Sequence, residues 1–184
     1  DPILCSYNEG VSYPMASKDE ITKQIIALRR PYERYADYAK STIEDLFGAE
    51  AVSKAIKRQV YQFASVYLEN LGNDQYAVRP LPSEVQYAPI YAIQPVDVDN
   101  DGNLDVILGG NFHSVSPSRG RYDASFGWYL KGDGKGGFQI QSPNESGLWL
   151  SGESRRFALL KANKQSPLLL VGRNNGPVGL WSLP

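Results

Sequence analysis

Short runs of apolar, β-branched and aromatic residues recur along most of the chain, and turn residues separate them. Residues 63–68, 91–96 and 106–110 are such runs, and Gly, Asn, Asp or Pro stand close to their ends. Short runs with these boundaries predict strands. The chain also has 12 Tyr, 17 Gly and 12 Pro, which suits strands joined by tight turns. The fold is therefore predicted to be mainly β.

Residues 17–58 have a different pattern, because charged residues occupy 16 of these 42 positions. Ser17 with Glu20, and Ser41 with Glu44, have the spacing of helix capping boxes. Apolar residues follow the first box at helical spacing: Ile21, Ile25 and Leu28. The segment is predicted to be a helical insertion with a solvated face. We expect three of its tyrosines to pack it onto the sheets: Tyr32, Tyr35 and Tyr38.

Residues 97–105 alternate aspartates with other residues around a glycine. Calcium binds about six to eight oxygen ligands, and it would offset the repulsion between carboxylates held this close together. The predicted ligands are Asp97, Asp99, Asp101, the Asn103 carbonyl and Asp105. An EF-hand is excluded, since Leu108 stands where that loop needs a glutamate and the flanking runs predict strands. The alternative is an Asp-Gly turn without a metal.

The pattern DxDxDGxxD between two predicted strands resembles the FG-GAP or VCBS-type repeats of calcium-binding β-propellers, which occur in the heads of integrin α-subunits. Residues 120–125 and 132–138 are most similar to the large secreted bacterial surface proteins of the VCBS and ASPIC type. The resemblance implies a calcium-stabilised scaffold that presents loops to a protein or a glycan. It also implies an extracellular or cell-surface location, with the periplasm as an alternative.

Internal repeats extend this interpretation. Residues 67–76 and 129–138 align over ten positions, and each is predicted to be a strand, a turn and a returning strand. Residues 157–172 align more weakly with residues 91–110. No carboxylate stands at residues 163–166 in this third copy, so it is predicted to bind no metal.

The copies assemble into a partial β-propeller of four-stranded antiparallel blades. Residues 1–16 and 60–83 are predicted to form one blade half, residues 86–142 a complete blade with the acidic loop, and residues 155–184 a degenerate terminal blade. So few blades cannot close a ring. The remaining blades are therefore expected from a longer parent chain or from self-association.

The loop at residues 111–124 connects the second and third strands of the predicted blade. It is expected at the end of the sheet opposite the acidic loop, as is the helical insertion. Long loops without regular structure are often functional. The candidate binding residues are Phe112, His113, Arg119, Arg121, Tyr122 and Asp123. The alternative is that Arg121 and Asp123 only hold the loop in place through hydrogen bonds.

Catalysis finds little support in the sequence. A Ser-His-Asp or Cys-His arrangement needs a histidine as base, and the one histidine, His113, stands in an ordinary loop. The chain is therefore predicted to be a calcium-binding interaction module without catalytic activity of its own. The alternative is an accessory part of a secreted hydrolase, or a lectin-like propeller that uses aromatic residues. The lectin candidates are Tyr122, Phe126, Trp128 and Trp149, of which Phe126 and Trp128 are better explained as core residues.

Charge and composition exclude several other partners. The net charge of −1 and the pI near 5.9 give no indication of a nucleic acid or an anionic membrane. No apolar run approaches the ~20 residues of a membrane span. The lone cysteine, Cys5, excludes an internal disulfide and is predicted to be buried.

Overall fold

The computed structural model describes residues 2–117, 120–160 and 167–183, and it divides into two compact units, Asp1–Tyr61 and Gln62–Pro184. The described residues form short strands in four antiparallel sheets, none of which is closed, together with short helices. The prediction of a mainly β fold is confirmed.

The first unit begins with a hairpin and continues as short helices. Strands β1 (Cys5–Asn8) and β2 (Val11–Pro14) are joined by Glu9 and Gly10, which both have positive φ. The helical segment comprises α1 (Lys18–Gln24), a 3-10 helix (Ile26–Arg29), α2 (Tyr35–Tyr38), α3 (Ile43–Phe47) and α4 (Ala49–Lys54). Its core is a cluster of buried side chains: Ile21, Leu28, Tyr38 and Leu46.

The hairpin changes the role predicted for residues 1–16. The sequence predicts a blade half shared between residues 1–16 and 60–83, whereas β2 pairs back onto β1 and the two strands form a sheet of their own. The tight turn is the reason, since positive φ at both turn residues matches the twist of a two-residue hairpin. Cys5, on β1, is exposed and not buried as predicted.

Helices α1 and α3 begin with capping side chains, and the box of α3 is shifted from the predicted position. The first predicted box forms as expected. The second consists of Thr42 and Asp45, one residue later than the predicted pair of Ser41 and Glu44. The Ser41 hydroxyl donates instead to the carbonyl of Asp37, 2.9 Å away, so it does not cap the helix.

The three tyrosines expected to pack against the sheets have partners within the helical segment and just before it. Tyr38 is buried and donates to the Ala16 carbonyl at 2.7 Å. Tyr32 meets the Tyr38 ring edge-on, with centroids 5.9 Å apart. Tyr35 is exposed and hydrogen bonds the carboxylate of Asp19. The helices thus have a small core of their own.

In its described residues, the second unit contains three antiparallel sheets in succession. The first is the hairpin of β3 (Val66–Gly72) and β4 (Gln75–Pro80), which a 3-10 helix follows (Ser83–Tyr87). The second has four strands in chain order: β5 (Ile90–Val96), β6 (Asp105–Gly110), β7 (Trp128–Gly132) and β8 (Phe138–Gln141). After α5 (Pro143–Ser146) the third has three strands: β9 (Glu153–Leu160), β10 (Leu168–Asn174) and β11 (Gly179–Ser182).

These sheets have the strands that the sequence predicts for residues 86–142 and 155–184. The turn at residues 163–166, predicted to bind no metal, lies outside the described residues.

Both hairpins that the sequence repeat predicts are present. Strands β3 and β4 turn at Asn73 and Asp74, which have positive φ. In the turn between β7 and β8, Oδ1 of Asp133 accepts the N–H groups of Lys135 at 2.7 Å and Gly137 at 2.8 Å. Each turn therefore depends on the ability of Asn and Asp to adopt or stabilise turn backbone.

The four-stranded sheet is buried on both faces. One face meets the three-stranded sheet in a cluster that includes Ala92, Ile107, Tyr129, Phe157 and Leu169. The other face meets the second 3-10 helix and its flanks in a cluster that includes Val85, Ala88, Leu108, Trp128 and Leu130. Because side chains alternate along a strand, neighbouring residues of β6 and β7 enter different cores.

Gly110, at the end of β6, lies against the carbonyl of Pro89. A Cβ atom at Gly110 would collide with that oxygen, which also accepts the Asn111 N–H at 3.2 Å. Gly110→Ala should therefore lower the free energy of unfolding by about 1–3 kcal/mol in urea denaturation. Gly172→Ala is the control, since a Cβ there would meet only ordinary contacts. Equal stability of the two variants would contradict the prediction.

Candidate functional site

The acidic loop, residues 97–104, connects β5 to β6 and is folded by its own carboxylates. The Asp97 carboxylate accepts the N–H groups of Asp101 at 3.1 Å and of Gly102 at 3.0 Å. The Asp101 carboxylate accepts the Asn103 N–H at 2.8 Å, and this bond lowers the pKa of Asp101. Gly102 has a φ of 88°, so it supplies the sharp turn expected from the sequence.

Asp105, the last aspartate of the motif, is fully buried at the start of β6. Its Oδ2 accepts the Val98 N–H and the Tyr129 hydroxyl, both at 2.9 Å, and its Oδ1 accepts the Gly132 N–H at 2.8 Å. The pKa of Tyr129 is raised, mostly by burial and to a smaller extent by the hydrogen bond to this carboxylate. One carboxylate therefore joins the acidic loop to β6 and β7.

Three of the predicted calcium ligands converge. One carboxylate oxygen from each of Asp97, Asp99 and Asp105 lies within 4.8 Å of the others. Two oxygens bound to one calcium ion at about 2.3–2.6 Å are at most about 5 Å apart, so this spacing suits such a cation. Among the described residues, Asp101 does not belong to this cluster. Asn103, whose carbonyl is the fifth predicted ligand, is half-buried in the same loop.

Lys131 is a member of this site that the sequence did not reveal. Its ammonium group, on β7, contacts the carboxylate of Asp99 and lies 3.4 Å from that of Asp101. Hydrogen bonds to these two carboxylates raise the pKa of Lys131. The sequence repeat places Lys131 in a hairpin, but no local pattern links it to the acidic loop.

The second predicted site is the loop between β6 and β7, and the structure brings only some of its candidate binding residues together. Phe112 and Tyr122 pair through two backbone hydrogen bonds of 2.8 and 3.0 Å. His113 and Arg121 line a common cleft, whereas Asp123 is exposed and does not line it. Arg119, the remaining candidate, lies outside the described residues.

This cleft, called the polar cleft below, has a volume of about 460 Å³ and opens where three connections meet. The β6–β7 loop contributes His113, Ser114 and Arg121. The residues before and at the start of β9 contribute Ser151, Gly152 and Glu153. The end of β10 and the turn after it contribute residues 173–177. Since β6 starts at the acidic loop and ends at the β6–β7 loop, the two candidate sites lie at opposite ends of the strand.

Glu153 is the buried carboxylate of the polar cleft, and the sequence did not predict it. Its side chain is 3% exposed and accepts hydrogen bonds from the backbone N–H of His113 at 2.9 Å, from Nη2 of Arg155 at 2.7 Å and from Nδ2 of Asn174 at 3.0 Å. Together these donors lower the pKa of Glu153, and the backbone N–H of His113 lowers it most. Glu153 is therefore ionised at neutral pH, and Arg155 matches its charge.

The aromatic residues considered for carbohydrate binding differ in exposure. Trp128 is 6% exposed and belongs to a core cluster, as the sequence indicated. The core interpretation of Phe126 is wrong, because this residue precedes β7 and is 42% exposed. Phe126 stacks on Trp149, which is 54% exposed, with ring centroids 4.5 Å apart. Tyr122 is also exposed.

Comparison with protein-family models, with curated proteins and with solved structures finds no match to this chain. The resemblance to FG-GAP and VCBS-type repeats therefore depends only on the residues quoted for it, and it stays a prediction. No helix among the described residues is long and apolar enough to cross a membrane.

Asp105→Asn tests the buried carboxylate. An asparagine side chain has one acceptor oxygen, so at least one of the three donors that Asp105 satisfies would face an amide nitrogen. The variant should lose about 1–3 kcal/mol of stability in urea denaturation without calcium. Asp74→Asn, at an exposed hairpin turn with positive φ, is the control and should be nearly neutral. Unfolding midpoints that agree would show that the Asp105 carboxylate does not organise the loop.

Proposed function

We propose that this chain is a calcium-binding interaction module with a partial β-propeller architecture, which presents loops to a protein or a glycan at or outside the cell surface. It has no catalytic activity of its own in this proposal. The main support is the convergence of carboxylate oxygens from Asp97, Asp99 and Asp105 at one end of a sheet that is buried on both faces. A cation there would fix a loop that the rigid sheet already positions.

The chain's own residues suit a hard cation. Calcium prefers oxygen ligands, and the clustered side chains offer carboxylates. Oδ1 of Asp105 accepts the Gly132 N–H and keeps a lone pair for a metal. Asp101 and the carbonyl of Asn103 would add oxygens from the same loop. Bound calcium would supply two positive charges to a motif that contains four carboxylates.

The positive charge of Lys131 competes with calcium for the carboxylates of this site. Its single positive charge contacts Asp99 and lies near Asp101, so it offsets part of the repulsion within the loop. Calcium bound to Asp99 would repel the ammonium group. We therefore expect Lys131 to weaken calcium binding.

The arrangement of the sheets supports the propeller part of the proposal. The four-stranded and three-stranded antiparallel sheets pack face to face, as successive blades of a propeller do. Within the described residues, β11 pairs only with β10, so its outer edge has unpaired backbone groups. An edge of this kind favours a further strand, from a longer parent chain or from a second copy.

A lectin-like propeller is the second candidate function, because Phe126 and Trp149 form an exposed stacked pair. Exposed aromatic faces combine large apolar area with polar surroundings, which suits sugar rings. A glycan array and a panel of glycoside substrates distinguish the possibilities. Glycan binding without turnover supports the lectin-like function, whereas turnover would contradict the assignment as a module without catalysis.

Calcium should raise the melting temperature of the wild-type chain. A ligand that binds only the folded state adds about 2.7 kcal/mol at a hundredfold excess over Kd. Asp99→Ala should remove this effect, so that calcium and a chelator give the same melting temperature. Lys131→Met is the matched variant, and it should retain or increase the calcium shift because it keeps the carboxylates. A wild-type calcium shift that survives in Asp99→Ala would reject the site.

The open edge of the three-stranded sheet should promote self-association of the isolated chain, measured by light scattering. Leu180→Lys, on β11 at a position that is 54% exposed, should reduce it because a charge on an edge strand opposes pairing. Val178→Lys, at a position that is 65% exposed and lies outside β11, is the control and should associate like the wild type. A strictly monomeric wild type with high thermal stability would count against this part of the proposal.

A further inference from the structure

The polar cleft is lined by two arginine side chains whose positive charges are not paired with carboxylates of the described loops. Arg121 and Arg173 form no ion pair with a carboxylate among the described residues. Arg121 is exposed, and it forms no hydrogen bond with any of the described residues. The carboxylate in the lining, Glu153, is already matched by Arg155 and hydrogen bonded by Asn174. Both guanidinium charges are therefore available to a ligand.

Two buried nitrogen atoms of the cleft residues have no hydrogen-bond partner among the described residues: Nε2 of His113 and Nε of Arg173. An unpaired buried polar atom is unfavourable, so a ligand that pairs with these atoms gains affinity. Arg173 is already held in place, because its Nη1 donates to the Pro177 carbonyl at 3.2 Å and its guanidinium lies 4.9 Å from the centre of the Trp181 ring. Binding would therefore cost little ordering of this side chain.

We propose that the polar cleft binds an oxyanion, the carboxylate or phosphate group of a soluble ligand, through Arg121, Arg173 and Nε2 of His113. Guanidinium groups pair two N–H donors with two oxygens of such a group, and these charge-assisted bonds are the stronger class of hydrogen bond. His113 donates to the oxyanion in its Nε2–H tautomer. This inference rests on the proposed function, since it specifies the ligand chemistry of the loop-bearing end of the module.

Other ligand classes fit the polar cleft less well. A divalent cation needs free carboxylates, whereas the oxygens of Glu153 already accept hydrogen bonds from three residues. Single-stranded nucleic acid needs aromatic side chains on which bases stack, and no aromatic residue other than His113 lines the cleft among the described residues. A neutral sugar would leave both guanidinium charges unmatched.

His113 allows a direct measurement, because the chain has one histidine and its ring protons give a single assignable set of NMR signals. Titration with sodium phosphate, and separately with sodium glucuronate, should shift these signals to saturation at low ionic strength. Glucose, and sodium chloride at matched ionic strength, should not. Arg121→Gln, at an exposed position, should weaken binding about tenfold while the melting temperature stays unchanged.

Arg156→Gln is the matched control, since it removes the same charge from an exposed arginine on β9 that does not line the cleft. It should change the affinity by less than about twofold. Saturation by phosphate alone assigns a phosphate-bearing ligand, and saturation by glucuronate alone assigns a carboxylate-bearing one. Saturation by neither anion, or equal weakening by the two arginine variants, overturns the proposal.

Melting curves are recorded in calcium and in a chelator, and the anion titrations are run in a buffer that contains neither, so that the two proposals fail separately. Anion binding without any calcium stabilisation rejects the calcium part of the proposed function and supports the oxyanion site. Calcium stabilisation without saturable anion binding rejects the oxyanion site alone.

Discussion

The second unit depends on one buried carboxylate. Asp105 accepts hydrogen bonds from the backbone of Val98 and Gly132 and from the Tyr129 hydroxyl, and a charged group is tolerated in a protein interior only when it is paired in this way. The donors come from the acidic loop and from two positions on β7. Val98 and Tyr129 also belong to the core shared with the three-stranded sheet. The loop conformation, the register of β6 and β7, and the packing of the core therefore constrain one another.

Elements that depend on one short sequence pattern could be predicted. Where two such patterns overlap, the sequence did not show which one the structure uses. The aspartate motif with its apolar flanks predicts β5, the acidic loop and β6, and the hairpin repeat predicts β7 and β8. By contrast, Ser41 with Glu44 and Thr42 with Asp45 have the same capping spacing, so the sequence cannot distinguish them. The structure uses the second pair because the Ser41 hydroxyl bonds the Asp37 carbonyl. A choice of this kind depends on the preceding turn.

The site residues that the sequence did not reveal act across long separations along the chain. Lys131 reaches Asp99 because β7 pairs with β6, which follows the acidic loop. Glu153 reaches His113 because the third sheet packs beside the second. Lys131 lies in a predicted strand and Glu153 just before the predicted terminal blade, and at both positions the default interpretation of a charged residue is a solvated surface position. Their partners depend on sheet order and packing, which local patterns of polar and apolar residues do not encode.

The strand β6, Asp105–Gly110, separates the acidic loop from the polar cleft and limits how the two can influence each other. At about 3.3 Å per residue it spans roughly 17 Å, about twice the screening length of ~8 Å at physiological salt. A charge added at one end is therefore felt weakly at the other. Asn111, just beyond β6, is buried and donates to the carbonyls of Ser125 and Gly152, which fixes the base of the cleft loop to the sheet. Calcium would thus affect oxyanion binding by keeping the sheet folded, with little direct effect on the affinity of the folded cleft.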